Sequence, residues 1–238
     1  MRASTETRVD PAPVGADPAH ERLFTSGEYV GQFQPDIAAN PFAATYAAKR
    51  DAILDLVPGE GLRVVDVGGG PGRMSRPLAR RHDVTLCDLS RDMLELARGA
   101  SAGDLRKFVV ADARALPLAA ASFDVAICID VVPHLADPGP ALRELHRVLA
   151  PGGTLIVDST NSIPAWTLAY PRYIGRRPGR WWATWRAGGV LPEWRNRVWH
   201  RRRAAFLAHV AAAGFTLRAS YDFGPRLCPK WHLAVVAR

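Results

Sequence analysis

An α/β fold with a doubly wound, mostly parallel sheet is what this chain of 238 residues predicts. Three observations carry that expectation. Short apolar runs alternate with amphipathic stretches along residues 40–160. The runs are nearly continuous in apolar side chains, as in strands covered on both faces of a sheet. The first of them, residues 62–67, ends in a loop that is almost all glycine, Gly68-Gly69-Gly70-Pro71-Gly72. Glycine is required where backbone turns with positive φ or comes within contact distance of a ligand. At the carboxyl end of a first parallel strand, such a loop holds a nucleotide-like group.

Each element has its own signal. Asn40-Pro41 supplies an N-cap and a proline at the first helical position. Phe42, Tyr46, Ile53, Leu54 and Val57 recur at helical spacing, predicting a helix over 41–57 that Pro58-Gly59 closes. Strand 62–67 and its glycine loop lead into a helix over 72–81. Residues 84–87 read as a second strand ending at Asp88, and Ser90 caps a helix carrying Met93, Leu94 and Leu96. A third strand, 108–110, ends at Ala111-Asp112-Ala113, and a fourth, 123–129, ends at Asp130. A helix over 138–149 stops at Pro151-Gly152-Gly153, before a fifth strand at 154–158. Near the end, 204–213 reads as a helix, and 216–221 with 232–236 as an antiparallel pair.

Composition bounds the rest. Apolar residues make up 48%, enough for a sizeable core, and no apolar stretch reaches transmembrane length. Residues 1–19 are polar and contain Pro11, Pro13 and Pro18, so they read as a loose tail rather than a signal peptide. Cys87, Cys128 and Cys228 are far apart and form no metal-type pair, so no metal is expected. Cys87 and Cys128 fall inside strands and read as small buried apolar residues of a reducing cytoplasm. The expected organisation is a tail and flap at 1–39, a cofactor-binding core at 40–160, a lid at 161–203, and a helix with a strand pair at 204–238.

The glycine loop selects among cofactors. A dinucleotide site needs Gly-x-Gly-x-x-Gly, and from Gly68 the third glycine falls on Arg73. What stands instead is Asp66-x-Gly68-x-Gly70-x-Gly72. This resembles motif I of the class I S-adenosylmethionine (SAM) dependent methyltransferases. SAM has no pyrophosphate to seat on a helix N-terminus, and an acid beside the loop suits its cationic end. Asp88, ending the second strand, lies where a carboxylate accepts from both ribose hydroxyls. Asp112, ending the third, could accept from an exocyclic amine or simply cap the next turn.

Further matches run from about residue 60 to 160. Asp88-Leu89-Ser90-x-x-Met93-Leu94, Ala111-Asp112-Ala113-x-x-Leu116-Pro117, Ser122-Phe123-Asp124-Val125, His134-Leu135 and Leu149-Ala150-Pro151-Gly152-Gly153 follow in order and spacing. Together they resemble the small-molecule branch of that family, which includes ubiquinone and menaquinone biosynthesis enzymes and many natural-product methyltransferases. Pro133 departs from the branch, standing where a glutamate often precedes His134. The resemblance implies a Rossmann-like sheet of seven strands with an antiparallel C-terminal strand and an inserted substrate lid. It implies that Asp66, Gly68, Gly69 and Gly70 hold the methionine part of SAM, Asp88 the ribose, and Asp112 with Ala113 the adenine. Leu89 would pack on the adenine, Ile129 and Asp130 would border the amino-acid end, and Tyr29 would touch the site from a flap.

His134, just beyond the fourth strand, is the best-placed candidate base for a hydroxyl acceptor, ahead of His200, Tyr29 and Tyr170. The acceptor itself is read from residues 161–203. They hold ten arginines against one acid, Glu193, a surplus larger than the +8 of the whole chain, and six of the seven tryptophans. Trp166, Tyr170, Arg172, Trp199 and His200 are the candidate contacts to an anionic or amphipathic small molecule. Contact with an anionic membrane surface, an RNA-modifying role and arginine–tryptophan packing without a ligand are the other readings. A protein that binds SAM without transferring its methyl group also stays open. Near-absence of lysine counts against nucleic acid. Turnover would yield S-adenosylhomocysteine, and the chain would act as a monomer or homodimer.

Overall fold

The computed structural model describes residues 43–160, 199–224 and 231–238. In chain order these form α1 (Ala43–Asp55), β1 (Arg63–Val67), α2 (Ser75–Leu78), β2 (Asp83–Asp88), α3 (Arg91–Ala100), β3 (Lys107–Val110) and β4 (Phe123–Cys128). A single 3-10 turn, Val132–His134, precedes α4 (Gly139–Val148) and β5 (Leu149–Thr160). The chain finishes with α5 (Arg203–Ala212), β6 (Thr216–Phe223) and β7 (Trp231–Ala237).

The seven strands lie in the order β3-β2-β1-β4-β5-β7-β6. β1 pairs in parallel with β2 and β4, and the parallel pairs β2–β3 and β4–β5 extend the sheet to either side. β7 runs antiparallel to both β5 and β6. The order reverses between β1 and β4, so the carboxyl ends of those strands open a crevice where open α/β sheets bind ligands.

Two apolar layers cover the sheet, and the two-residue period of the strands assigns side chains to them. Val65, Val67, Cys128, Leu155 and Val157 pack against Leu142 and Leu145 of α4 and Phe206 and Val210 of α5. Val64, Leu86, Ile127 and Ile156 face Ile53 of α1, Leu78 of α2 and Leu94 of α3. Burial pushes the thiols of Cys87 and Cys128 well above their usual range, which keeps them inert. No helix among the described residues is long and apolar enough to cross a membrane.

Two elements differ in extent from the sequence reading. The helix expected over 72–81 shrinks to Ser75–Leu78. Gly72 holds φ at +75° and donates to Gly69 O, which keeps the loop as a turn up to Met74, while Pro77 has no N–H to continue the ladder. β5 begins at Leu149 rather than 154 and runs straight through Pro151-Gly152-Gly153 to Thr160. A register shift against β4 between Phe123 and Val125 absorbs the extra residues. α3 behaves as read: Ser90 is extended and its hydroxyl accepts from Met93 N.

Leu145 is fully buried between α4 and the sheet. Leu145→Ala should lower unfolding free energy by about 2–5 kcal/mol, measured by denaturant titration with an unchanged m-value.

Candidate active site

The glycine loop divides into two parts. Gly68, at φ +72°, and Gly69 lie against the protein itself: a Cβ on Gly68 would collide with Val131, and one on Gly69 with Leu86 and the Asp66 carboxylate. Their N–H groups both donate to Cys87 O. Gly70 is different. It has φ +52°, and a Cβ there would meet nothing within 4 Å. Its N–H donates to Asp88 Oδ2 at 2.8 Å, and Ser90 N donates to Oδ1 at 2.9 Å. A carboxylate has about four acceptor positions, so Asp88 ties the loop to the end of β2 and keeps lone pairs for a diol. Open space above Gly70 beside that carboxylate fits a ribose-bearing ligand.

Asp66 lies beneath the loop, 1% exposed. Ser75 Oγ donates to its Oδ2 at 2.6 Å. Burial pushes its pKa up to about 6, the charge of Asp88 adds to the rise, and Ser75 opposes it. Asp112 is met by a residue the sequence reading missed. Arg114 Nη2 donates to Oδ2 at 2.5 Å, Nε to Oδ1 at 2.9 Å, and the Arg114 N–H to Oδ1. The Asp112 carboxylate therefore closes a local turn, with Ala113 half-buried inside it. Leu89 is half-buried beside Asp88, and Ile129 packs on the α1 side of the sheet.

Asp130, one residue past Ile129, takes φ +58°. For a residue with a side chain this costs on the order of 1 kcal/mol, and charged contacts hold it. The Asp130 N–H donates to Asp158 Oδ1 at 2.7 Å. Lys49 Nζ, reaching in from α1, donates to Asp158 Oδ2 at 2.5 Å and Asp130 Oδ1 at 3.0 Å, and lies 4.9 Å from the centre of the Trp231 ring. Lys49 is 1% exposed. Burial alone would lower its pKa, but the two carboxylates outweigh it and leave the ammonium above its usual range. Burial pushes Asp158 up to about 7; Lys49 works against the rise and Asp130 with it. Asp130 stays below the usual carboxylate range because Lys49 overcomes its burial. One cation among two acids leaves the cluster net negative once both are ionised.

His134 closes the 3-10 turn after β4, half-buried, with its N–H on Val131 O at 2.8 Å. The backbone of Trp199 meets that turn, its N–H donating to Pro133 O at 2.6 Å, and Arg201 N donates to Thr160 O at 2.9 Å, with His200 between the two. Tyr29, Trp166, Tyr170 and Arg172 fall outside the described residues, as do the tail at 1–39 and most of the lid. Arg201 is one of the ten arginines on which the expectation of an anionic acceptor rests. It is 5% exposed and spends its guanidinium on backbone carbonyls.

Residues 65–157 match the family model described as "Methyltransferase domain". Over these residues the chain is similar to methyltransferase domains. Over 136 residues the chain is 36% identical to the ubiquinone/menaquinone biosynthesis C-methyltransferase of Cereibacter sphaeroides, covering 52% of this chain and 54% of that protein. Over 108 residues it is 40% identical to the ubiquinone biosynthesis O-methyltransferase of a Caulobacter species, covering 44% and 43%. The chain thus spans about half the length of the curated relatives it matches. A solved SAM-dependent methyltransferase from Mesorhizobium loti superposes with a TM-score of 0.61 at 25% identity, covering 79% of this chain and 96% of that one.

Lys49, Arg114, Asp158 and Arg201 are the residues that sequence reasoning missed. Lys49 carried a signal, since it shares the helical face of Ile53 and Val57 at spacings of four and eight. Lys49→Met should leave two buried carboxylates unbalanced and cost about 3–5 kcal/mol, whereas the double change with Asp158→Asn should recover most of that loss. Chemical denaturation of the parent and the two variants measures it. For Asp66, the folded pKa lies above the unfolded one, so its contribution is favourable below about pH 4 and fades as pH rises towards 6. Asp66→Asn should therefore gain on the parent by on the order of 3 kcal/mol between pH 4 and 7, read from paired unfolding curves.

Proposed function

We propose that the chain is a SAM-dependent methyltransferase acting on a small-molecule acceptor. The observation that carries this reading is the open space at Gly70 beside an Asp88 carboxylate that still has lone pairs to offer. The bound cofactor would supply a methyl group on a sulfonium centre, a good leaving group for in-line displacement. The chain's residues then have distinct tasks. Asp88 accepts from the ribose hydroxyls, and Leu89 and Ala113 border the base. Asp66 and Asp130 supply negative charge around a cationic amino-acid end, Asp66 from beneath the loop and Asp130 from the mouth.

Asp130 is 37% exposed in its side chain, so it faces the mouth, whereas Asp158 is fully buried. His134, whose charge influences Asp130, accepts the proton of a hydroxyl acceptor at an imidazole nitrogen. The composition of residues 161–203 supports an acceptor with negative charge on a flat or apolar body, since arginine pairs with anions and tryptophan covers apolar rings. The relatives methylate carbon in one case and oxygen in the other by their names, and a hydroxyl acceptor is the one that gives His134 work to do.

Calorimetric titration with SAM and with S-adenosylhomocysteine tests the cofactor half. Both should bind, and Asp88→Asn should weaken each by roughly 10–100-fold, the value of hydrogen bonds to a charged acceptor. Methyl-labelled SAM incubated with a cell extract tests the other half. Label should pass to an organic-extractable small molecule in the presence of the protein; binding without any transfer would leave a SAM-binding protein of another function.

A further inference from the structure

We propose that Arg201 is a positioning residue: its buried guanidinium fixes the loop that carries His134 and ties the chain re-entering at Trp199 to the mouth of the site. The inference rests on the methyltransferase reading of that mouth. Nη1 donates to Val132 O at 3.1 Å and Trp199 O at 3.3 Å. Nη2 donates to Leu135 O at 2.5 Å and Ala136 O at 2.9 Å. Three of the four carbonyls belong to the loop and bracket His134 on both sides.

The backbone around the guanidinium makes a second set of ties. Trp199 N reaches Pro133 O, and Arg201 N reaches Thr160 O at the end of β5. Segment 199–201 thus bridges the loop after β4 and the strand beside it. No carboxylate among the described residues is hydrogen-bonded to Arg201, though Asp137 supplies a more distant negative charge. A charge buried without a bonded counter-ion costs several kcal/mol, and a lysine offers no planar fork to span four carbonyls. A planar cation at this place is suited to fixing backbone geometry, with both of its Nη groups committed to main-chain carbonyls.

Hydrogen exchange and histidine-ring NMR spectra of the full chain test the proposal, with S-adenosylhomocysteine as the ligand probe. In Arg201→Met, amides of residues 131–136 should exchange at least ~10-fold faster while those of β1 and β2 stay unchanged. The His134 ring resonance, assigned with His134→Gln, should shift or broaden, and affinity for the probe should stay within about two-fold. Arg201→Lys, which keeps the charge, should fall between the two and covers the case in which the methionine variant fails to fold. Unchanged exchange at 131–136, or acceleration spread evenly over the sheet, would overturn the positioning role. If the parent chain does not bind the probe, the methyltransferase reading fails instead, whatever the exchange data show.

Discussion

Lys49 between Asp130 and Asp158 is the contact on which the rest of the site depends. A parallel sheet gathers the carboxyl ends of its strands on one edge, and in this chain the edge carries Asp66, Asp88, Asp130 and Asp158. Four acids side by side in a desolvated crevice would repel one another and shift towards their neutral forms. Each is met differently. Asp66 has a serine hydroxyl, Asp88 has backbone N–H groups, and the last two share one buried ammonium. Of these four acids, only Asp130 and Asp158 are hydrogen-bonded to a full positive charge, and that charge holds Asp130 below the usual carboxylate range. The same contact stabilises the left-handed backbone at Asp130, from which the loop to His134 departs.

Two buried cations hold that loop from opposite faces of the sheet. Lys49 comes from α1, packed on the layer with Ile53 and Val64, and acts through the side chain of Asp130. Arg201 precedes α5, packed on the layer with Phe206 and Val157, and acts through main-chain carbonyls. The difference in chemistry follows from the difference in partner. An ammonium is a compact point charge and suits two converging carboxylates; a guanidinium is a planar fork and suits carbonyls spread along a turn. Lys49 follows the stretch that the sequence expects as a flap, and Arg201 belongs to the one it expects as a lid.

Most of the sheet was legible because strand and helix periods differ and the glycine loop punctuates them. The acids at 66, 88, 112 and 130 could be placed at strand ends for the same reason. Their partners could not. Arg114 lies two residues from Asp112, yet nothing in spacing says that a guanidinium will fold back on it rather than face water. Lys49 reaches Asp130 and Asp158 across 81 and 109 residues of chain, a pairing that depends on how α1 lies against the sheet. Arg201 was hidden by its company. Ten arginines in a short stretch read as one charged surface, and only packing singles out the one turned inward.

The glycine run shows why a motif is more than its consensus. All of its glycines read alike in the sequence, as places where backbone approaches a ligand. In the fold, Gly68 and Gly69 are small because the protein crowds them: Val131 from the loop after β4, Leu86 from β2, and Asp66 from their own strand. These close approaches let the turn after β1 sink between its neighbours and bring Gly70 to the Asp88 carboxylate. Gly70 alone combines a left-handed backbone with unfilled space. A ligand-facing role would therefore fall to Gly70, while Gly68 and Gly69 let three strand ends meet. Because Gly68 abuts Val131, the cofactor loop and the loop of His134 are in direct contact. A group bound over Gly70 would therefore lie one loop away from the backbone that Lys49 and Arg201 hold.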